Sequence, residues 1–185
     1  MSQTTQTNCI SVVIPVYNSE NSVGEVVHRL MAILPKLANE FEIILINDGS
    51  RDGSWQVIEY LAAENPTIVR GFNMMRNYGQ HNALLSGIRQ ARYPVTITMD
   101  DDLQHPPEEI PYLLNKLNEG HDVVYGTPKE LPHSVWRNLM SYLTKRAMAN
   151  AMGIKNIRDI SAFRALRTEL RNAFAGYQSP NLLLD

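Results

Sequence analysis

A single cysteine, Cys9, stands among 185 residues, which excludes an internal disulfide framework and fits a reducing compartment. The opening MSQTTQTN lacks the basic start and apolar core of a secretory signal, so the chain reads as cytoplasmic. No apolar run approaches the roughly 20 residues that a bilayer-spanning helix needs. No Gly-x-Gly-x-x-Gly follows a strand pattern and no Walker sequence occurs, which removes the common dinucleotide and P-loop readings. Internal repeats, low-complexity tracts and an interdomain linker are missing too. One domain over 1–185 is expected, since a chain of about 150 residues already hides roughly 70% of its unfolded surface.

Charge is sparse but unevenly placed. Residues 1–128 carry 8 Lys and Arg against 15 Asp and Glu, a balance of −7, whereas 129–185 carry 9 against 4, a balance of +5. The second part therefore suits an anionic partner.

What is present is an alternation of short β-rich runs with amphipathic helical patterns, the signature of a mostly parallel sheet flanked by helices in an α/β fold. Strands are expected at Ile10–Ile14, Phe41–Ile46, Ile68–Asn73, Val95–Met99 and Asp122–Tyr125, with a last one at Ile157–Ile160. Ser22-x-x-Glu25 reads as a capping box ahead of Val23, Val26, Val27, Leu30 and Met31. Further helices carry Trp55, Ile58 and Leu61, span Gln80–Arg92, and start at Pro106-Pro107 with Ile110, Leu113, Leu114 and Leu117 inward. A long helix at Ser134–Met152 and a final one at Leu166–Phe174 complete the reading.

In open parallel sheets ligands bind at the carboxyl ends of the strands. There this chain places Pro15 to Glu20, Asn47 to Gly53, Arg76 to His81 and Asp100 to Gln104. Three adjacent carboxylates repel one another unless solvent or a cation compensates them. Asp100, Asp102 and Gln104 are spaced by two, so in an extended segment they offer three oxygens to one hard cation while Asp101 points the other way. An EF-hand is excluded, because its sixth position would be His105 and its twelfth Pro111.

Five motifs now stand in order: Val13-Ile-Pro-Val-Tyr-Asn-Ser-Glu20, Ile46-Asn-Asp-Gly-Ser-Arg-Asp-Gly53, Arg76-Asn-Tyr-Gly79, Asp100-Asp-Asp-Leu-Gln-His-Pro-Pro107 and Asp159-Ile-Ser-Ala-Phe-Arg164. With them the chain resembles glycosyltransferase family 2, in the branch of dolichol-phosphate mannose synthases and bactoprenol glucosyltransferases. The resemblance implies the nucleotide-sugar-binding, Rossmann-like glycosyltransferase A fold, with a nucleotide-sugar part at about 8–128 and an acceptor-side part at about 129–185. It implies that Pro15, Tyr17 and Glu20 line the nucleotide pocket, that Asp48 accepts a hydrogen bond from the base, and that Arg76, Asp100 and Asp101 lie at the nucleotide sugar. Asp100, Asp102 and Gln104 would hold Mg²⁺ or Mn²⁺ against the diphosphate, with Asp102 and Asp159 as catalytic carboxylates.

The implied reaction is an inverting transfer of a hexose from a UDP-linked donor to a polyprenyl phosphate at the inner face of the cell membrane, with Arg137 and Arg164 meeting the acceptor. Transfer to a sugar hydroxyl in surface polysaccharide, and nucleotide-sugar binding without catalysis, are the alternatives. The Gln-x-x-Arg-Trp motif of processive polysaccharide synthases is absent, as is the Gly-rich, Arg-containing first loop of nucleotidyltransferases. Nucleic acid is not an expected partner, and the oligomeric state stays open. Plainer roles stand beside these: Asp48-Gly49 as a turn, the Asp triplet as a solvated strand end, His105 as a helix cap, Asp159 as a partner of Arg164, and the basic residues as a solvated face.

Overall fold

The computed structural model describes residues 9–126 and 162–174. Chain order is β1 (Cys9–Val16), α1 (Val23–Ile33), β2 (Glu40–Asn47), α2 (Ser54–Glu64), β3 (Val69–Asn73), α3 (Gln80–Gln90), β4 (Val95–Thr98), α4 (Ile110–Asn118), β5 (Val123–Tyr125) and β6 (Arg164–Arg167). Among the described residues the strands form one sheet in the order β3-β2-β1-β4-β6-β5. The first four are parallel, and β6 runs antiparallel to both β4 and β5.

Runs such as Ile43-Ile-Leu-Ile46 are apolar on both faces because the sheet is covered on both. Ile10, Val12, Ile14, Ile43 and Leu45 face α1, α2 and α4. Val13, Ile44 and Ile46 face the other way, onto Ala83, Leu84 and Ile88 of α3.

The structure corrects the sequence reading at several points. The capping box at Ser22 does not form: Ser22 is already helical (φ −114°, ψ −34°) and caps nothing through its side chain. Instead its hydroxyl and its amide are both turned back toward the Ser19 carbonyl. The helix expected to run to Arg92 stops at Gln90, because Ala91 turns extended and the Arg92 amide donates to Glu42 Oε1 at 2.7 Å. Glu42 lies inside β2, 2% exposed, and also accepts from Ser11 Oγ and Arg70 Nη1, both at 2.8 Å. The double proline opens a 3₁₀ turn at Pro107–Glu109 before α4 begins, with no side-chain cap at either start. Pro106 and Glu109, and not His105, hold the two N-cap positions.

The largest difference is at the C-terminal end. Where a helix was expected from Leu166, β6 occupies Arg164–Arg167 and a 3₁₀ helix follows at Thr168–Phe174. β6 fits between β4 and β5 because Ala165 and Leu166, on opposite faces, are both buried there. The expected helix at Ser134–Met152 and strand at Ile157–Ile160 lie outside the described residues. No helix among the described residues is long and apolar enough to cross a membrane.

Candidate functional site

Loops leaving β1, β2, β3 and β4 meet at one edge of the sheet, around a cavity of about 310 Å³. Pro15, Tyr17, Asp48, Asp100, Asp101 and Asp102 all line it. Each comes from a strand end because parallel neighbours finish level: Val16 is opposite Asn47, and Asn47 is opposite Asn73.

The β2 loop sets the floor. Asp48 is 2% exposed; its Oδ1 accepts from the Tyr78 amide at 2.7 Å and its Oδ2 from the Gly79 amide at 2.9 Å. Burial raises its pKa, against those two amides, which act to lower it. Gly49 has φ +67°, and a Cβ there would come within 2.5 Å of the Arg76 carbonyl carbon and the Asn77 nitrogen. Both the left-handed backbone and the close approach require glycine. Asn47, buried beside it, donates from Nδ2 to Asn73 Oδ1 at 2.8 Å. Asp48-Gly49 is thus a turn that also grips the neighbouring loop.

The β1 loop is laced to the β2 loop. Glu20 Oε2 accepts from the Gly53 amide at 2.6 Å, and the Glu20 amide donates to Asp52 Oδ2 at 3.1 Å. Glu20 is not among the residues lining the cavity. Burial acts to raise the Asp52 pKa, but hydrogen bonds from the Ser54 hydroxyl and the Glu20 amide outweigh it and hold that carboxyl below its ordinary value.

The acidic loop departs from the extended geometry that its spacing suggested. Residues 101–105 bend, and Leu103 adopts φ +60°, a left-handed conformation. Asp102 Oδ1 then accepts from the Gln104 amide at 2.9 Å. As a result Asp101 is not turned away: it lines the same cavity as its neighbours and accepts from the Tyr17 amide at 3.4 Å. Gln104 is exposed and lies outside the lining residues.

Burial and the charges of Asp102 and Asp101 push the Asp100 carboxyl up to about 6, against the opposing influence of Gln80 and Arg164. Burial raises Asp101 as well.

Arg164 opens β6 opposite Thr98, is 7% exposed, and lies 5.5 Å over the Tyr125 ring. Arg76 takes a different place. Its guanidinium sits 4.9 Å over the Tyr78 ring and lines a neighbouring cavity with Tyr78 and Arg89, not the one holding the carboxylates. Arg137 and Asp159 fall outside the described residues.

Sequence reasoning missed Gln80, whose Nε2 donates to Asp100 Oδ1, and Asn77; both line the carboxylate cavity. Their signal was available, since both sit in the polar run that follows β3.

Oxygen donors alone face the cavity from the acidic loop, which fits a hard cation such as Mg²⁺ or Mn²⁺ and not a thiolate- or imidazole-seeking metal. No group of three or more His, Cys, Asp or Glu among the described residues is gathered closely enough to cage a metal unaided. One or two carboxylates plus substrate phosphates are the usual holder of Mg²⁺, and that arrangement is the one the loop can supply.

The sequence model of glycosyl transferase family 2 matches residues 11–173. Undecaprenyl-phosphate 4-deoxy-4-formamido-L-arabinose transferase of Pseudomonas fluorescens (strain SBW25) is 44% identical over 147 residues, 80% of this chain and 43% of that protein. The chain thus spans under half the length of the curated relatives it matches.

A mannosyltransferase from Pyrobaculum calidifontis, solved with GDP-Man and Mn²⁺, superposes with TM-score 0.63 at 18% identity, covering 91% of this chain and 47% of that one. Glucosyl-3-phosphoglycerate synthase from Mycobacterium tuberculosis, solved with Mn²⁺, UDP-Glc and phosphoglyceric acid, gives TM-score 0.60 at 21% identity, over 88% and 58% of the two chains. At such identities the likeness establishes the glycosyltransferase A fold alone.

Proposed function

Because the chain belongs to glycosyl transferase family 2, we propose that it carries the donor site of an enzyme moving a sugar from a nucleotide sugar to a polyprenyl phosphate. The observation that carries this reading is the convergence of Asp100, Asp101 and Asp102 with the Asp48 loop on one cavity at the sheet edge. The relative from Pseudomonas fluorescens supports the acceptor class through its undecaprenyl-phosphate name, and the Mn²⁺-bound neighbours support a divalent cation.

In this reading an acceptor phosphate oxygen attacks the anomeric carbon, a new C–O bond forms with inversion, and the bond to the nucleoside diphosphate breaks. A lipid monophosphate, with second pKa near 6, is largely a dianion at pH 7 and needs no general base. A divalent cation at the carboxylates would neutralise charge developing on the leaving diphosphate. Asp100 and Asp102 are its proposed holders, with Gln104 reaching it only if its side chain turns inward.

Pro15 and Tyr17 wall the nucleotide. Asp48 retains lone pairs beyond those facing the Tyr78 and Gly79 amides, so a base N–H can still reach it. Asp101 fixes the Tyr17 backbone. Arg164, beside Asp100, is the proposed cation for the acceptor phosphate, and Arg137 and Asp159 are proposed as further acceptor residues on the strength of the family resemblance alone. Glu20 and Arg76 act by shaping the loops around the nucleotide.

The finer assignment is a UDP-linked hexose, with the basic acceptor-side part resting on the cytoplasmic membrane face. Transfer assays with polyprenyl phosphate, Mn²⁺ and UDP-hexose, GDP-mannose or a UDP-linked 4-formamido-arabinose test it. Sugar-lipid product with one donor supports the transferase. Nucleotide binding without product from any donor would reduce the chain to a binding domain.

A further inference from the structure

We infer that the ring of His105, stacked on Phe163, is the clamp that sets the Asp100–Asp102 loop for cation binding, which makes both rings positioning elements of the site. The inference rests on the reading above that this loop holds a divalent cation.

Beyond Met99, whose amide donates to the Val13 carbonyl at 3.2 Å, the loop has no strand or helix pairing before the 3₁₀ turn at Pro107. Leu103 nevertheless stands at φ +60°. A side-chain-bearing residue keeps such a backbone only where its surroundings over-determine it. The constraint comes from two anchors. Leu103 itself packs, half-buried, against the main core. Two residues on, His105 is 7% exposed and its ring lies 5.1 Å from that of Phe163, at 17° between planes.

Phe163 is a fixed post. It is 1% exposed, its carbonyl accepts from the Gly126 amide at 2.8 Å, and a Cβ on Gly126 would stand 2.3 Å from Phe163 Cδ1. Gly126 therefore has to lack a side chain for the ring to seat. On either side of Phe163, the Ala162 carbonyl accepts from Thr98 Oγ1 and Arg164 pairs with Thr98 in the sheet. The post is thus tied to the last residue of β4, two positions before Asp100.

The acidic loop is held at the end of β4 and at the Phe163 ring, two points of the same rigid frame, while its first two carboxylates are also tied sideways, Asp100 to Gln80 and Asp101 to the Tyr17 amide. With both ends held, the left-handed turn at Leu103 folds Asp102 onto the Gln104 amide and leaves all three carboxylates on one cavity. With the distal end released, Leu103 can return to an ordinary conformation and Asp102 draws away from Asp100 and Asp101, which stay tied to Gln80 and the Tyr17 amide. Partners that orient ligating groups from behind typically change metal affinity by about 10–100-fold when removed.

The test compares His105→Ala, His105→Phe and Phe163→Leu with the unaltered chain. The readouts are Mn²⁺ affinity in the presence of UDP, amide exchange at Gln104 in metal-free protein, and melting temperature. His105→Ala and Phe163→Leu are expected to weaken Mn²⁺ by at least about tenfold and to speed Gln104 exchange. His105→Phe, which keeps a stacked ring, is expected to restore both.

Wild-type Mn²⁺ affinity and Gln104 protection in folded His105→Ala or Phe163→Leu would overturn the inference, whatever happens to the melting temperature. So would failure of His105→Phe to rescue. Should His105→Ala not fold, Phe163→Leu and His105→Phe carry the same comparison. If the unaltered chain binds no Mn²⁺, the functional reading fails, while Gln104 exchange still decides whether the stack sets the loop.

Discussion

Asp48 holds the Tyr78 amide: the carboxylate of the β2 loop accepts from the backbone of the β3 loop at 2.7 Å, beside a second bond from Gly79. One buried side chain therefore fixes the relative position of two walls of the carboxylate cavity. Residues at strand ends do not merely collect at an edge; some of them assemble it.

Asp48→Asn should disrupt that assembly without changing side-chain size. Its amide NH₂ would face one of two backbone N–H donors, leaving a buried donor unsatisfied at a cost of about 1–3 kcal/mol. Chemical denaturation is expected to show that loss, and calorimetry a nucleotide affinity reduced by more than tenfold. Full stability and affinity in the variant would mean the two amides find other acceptors.

Asp100 gives the metal-free chain a pH signature. Because its folded pKa is raised to about 6, the folded chain holds that proton more tightly than the unfolded one. Stability from this group is fully present below the ordinary carboxylate range and is lost as pH rises through about 6. Melting temperatures in EDTA should thus fall for wild type relative to Asp100→Asn between pH 4.5 and 7. A difference independent of pH would place Asp100 in water. Mn²⁺ affinity should rise over the same interval, since the cation competes with the proton.

Asp102→Asn removes one charge from the proposed cation site and should lower sugar transfer at least about a hundredfold, equivalent to roughly 2.7 kcal/mol of transition-state stabilisation. Asp101→Asn is not an inert comparison, because Asp101 lines the same cavity and meets the Tyr17 amide. Its expected effect is on the Michaelis constant for the donor, with turnover changed less. Equal turnover in Asp102→Asn and wild type would return the triplet to a solvated strand end.

Glu42 is remote from the cavity and is expected to affect stability alone. Glu42→Ala would strip the acceptor from Ser11, Arg70 and the Arg92 amide at once. Removing one partner of a buried ion pair typically costs about 3–5 kcal/mol. Urea unfolding with an unchanged slope should show a loss near the lower figure, since Arg70 keeps some access to water. A loss under about 1 kcal/mol would mean that water replaces the carboxylate.

The amino-acid sequence by itself determined the alternation of strands and helices, the sheet edge where polar residues collect, and the acidic run after β4. Those features are local: an apolar period, a turn residue, a polar stretch next to a strand end. Tertiary structure decided the rest, because it depends on partners far along the chain. Asp101 meets the Tyr17 amide of a distant loop, and the bend through the left-handed Leu103 ends at His105, whose ring stacks on Phe163 far along the chain. Arg164–Arg167 became an antiparallel strand because β4 and β5 offered a slot that buries Ala165 and Leu166 on opposite faces, and no local period records that slot. Likewise Arg76, the first residue of its motif, turned to the Tyr78 ring and away from the carboxylates, a choice made by packing and not by spacing.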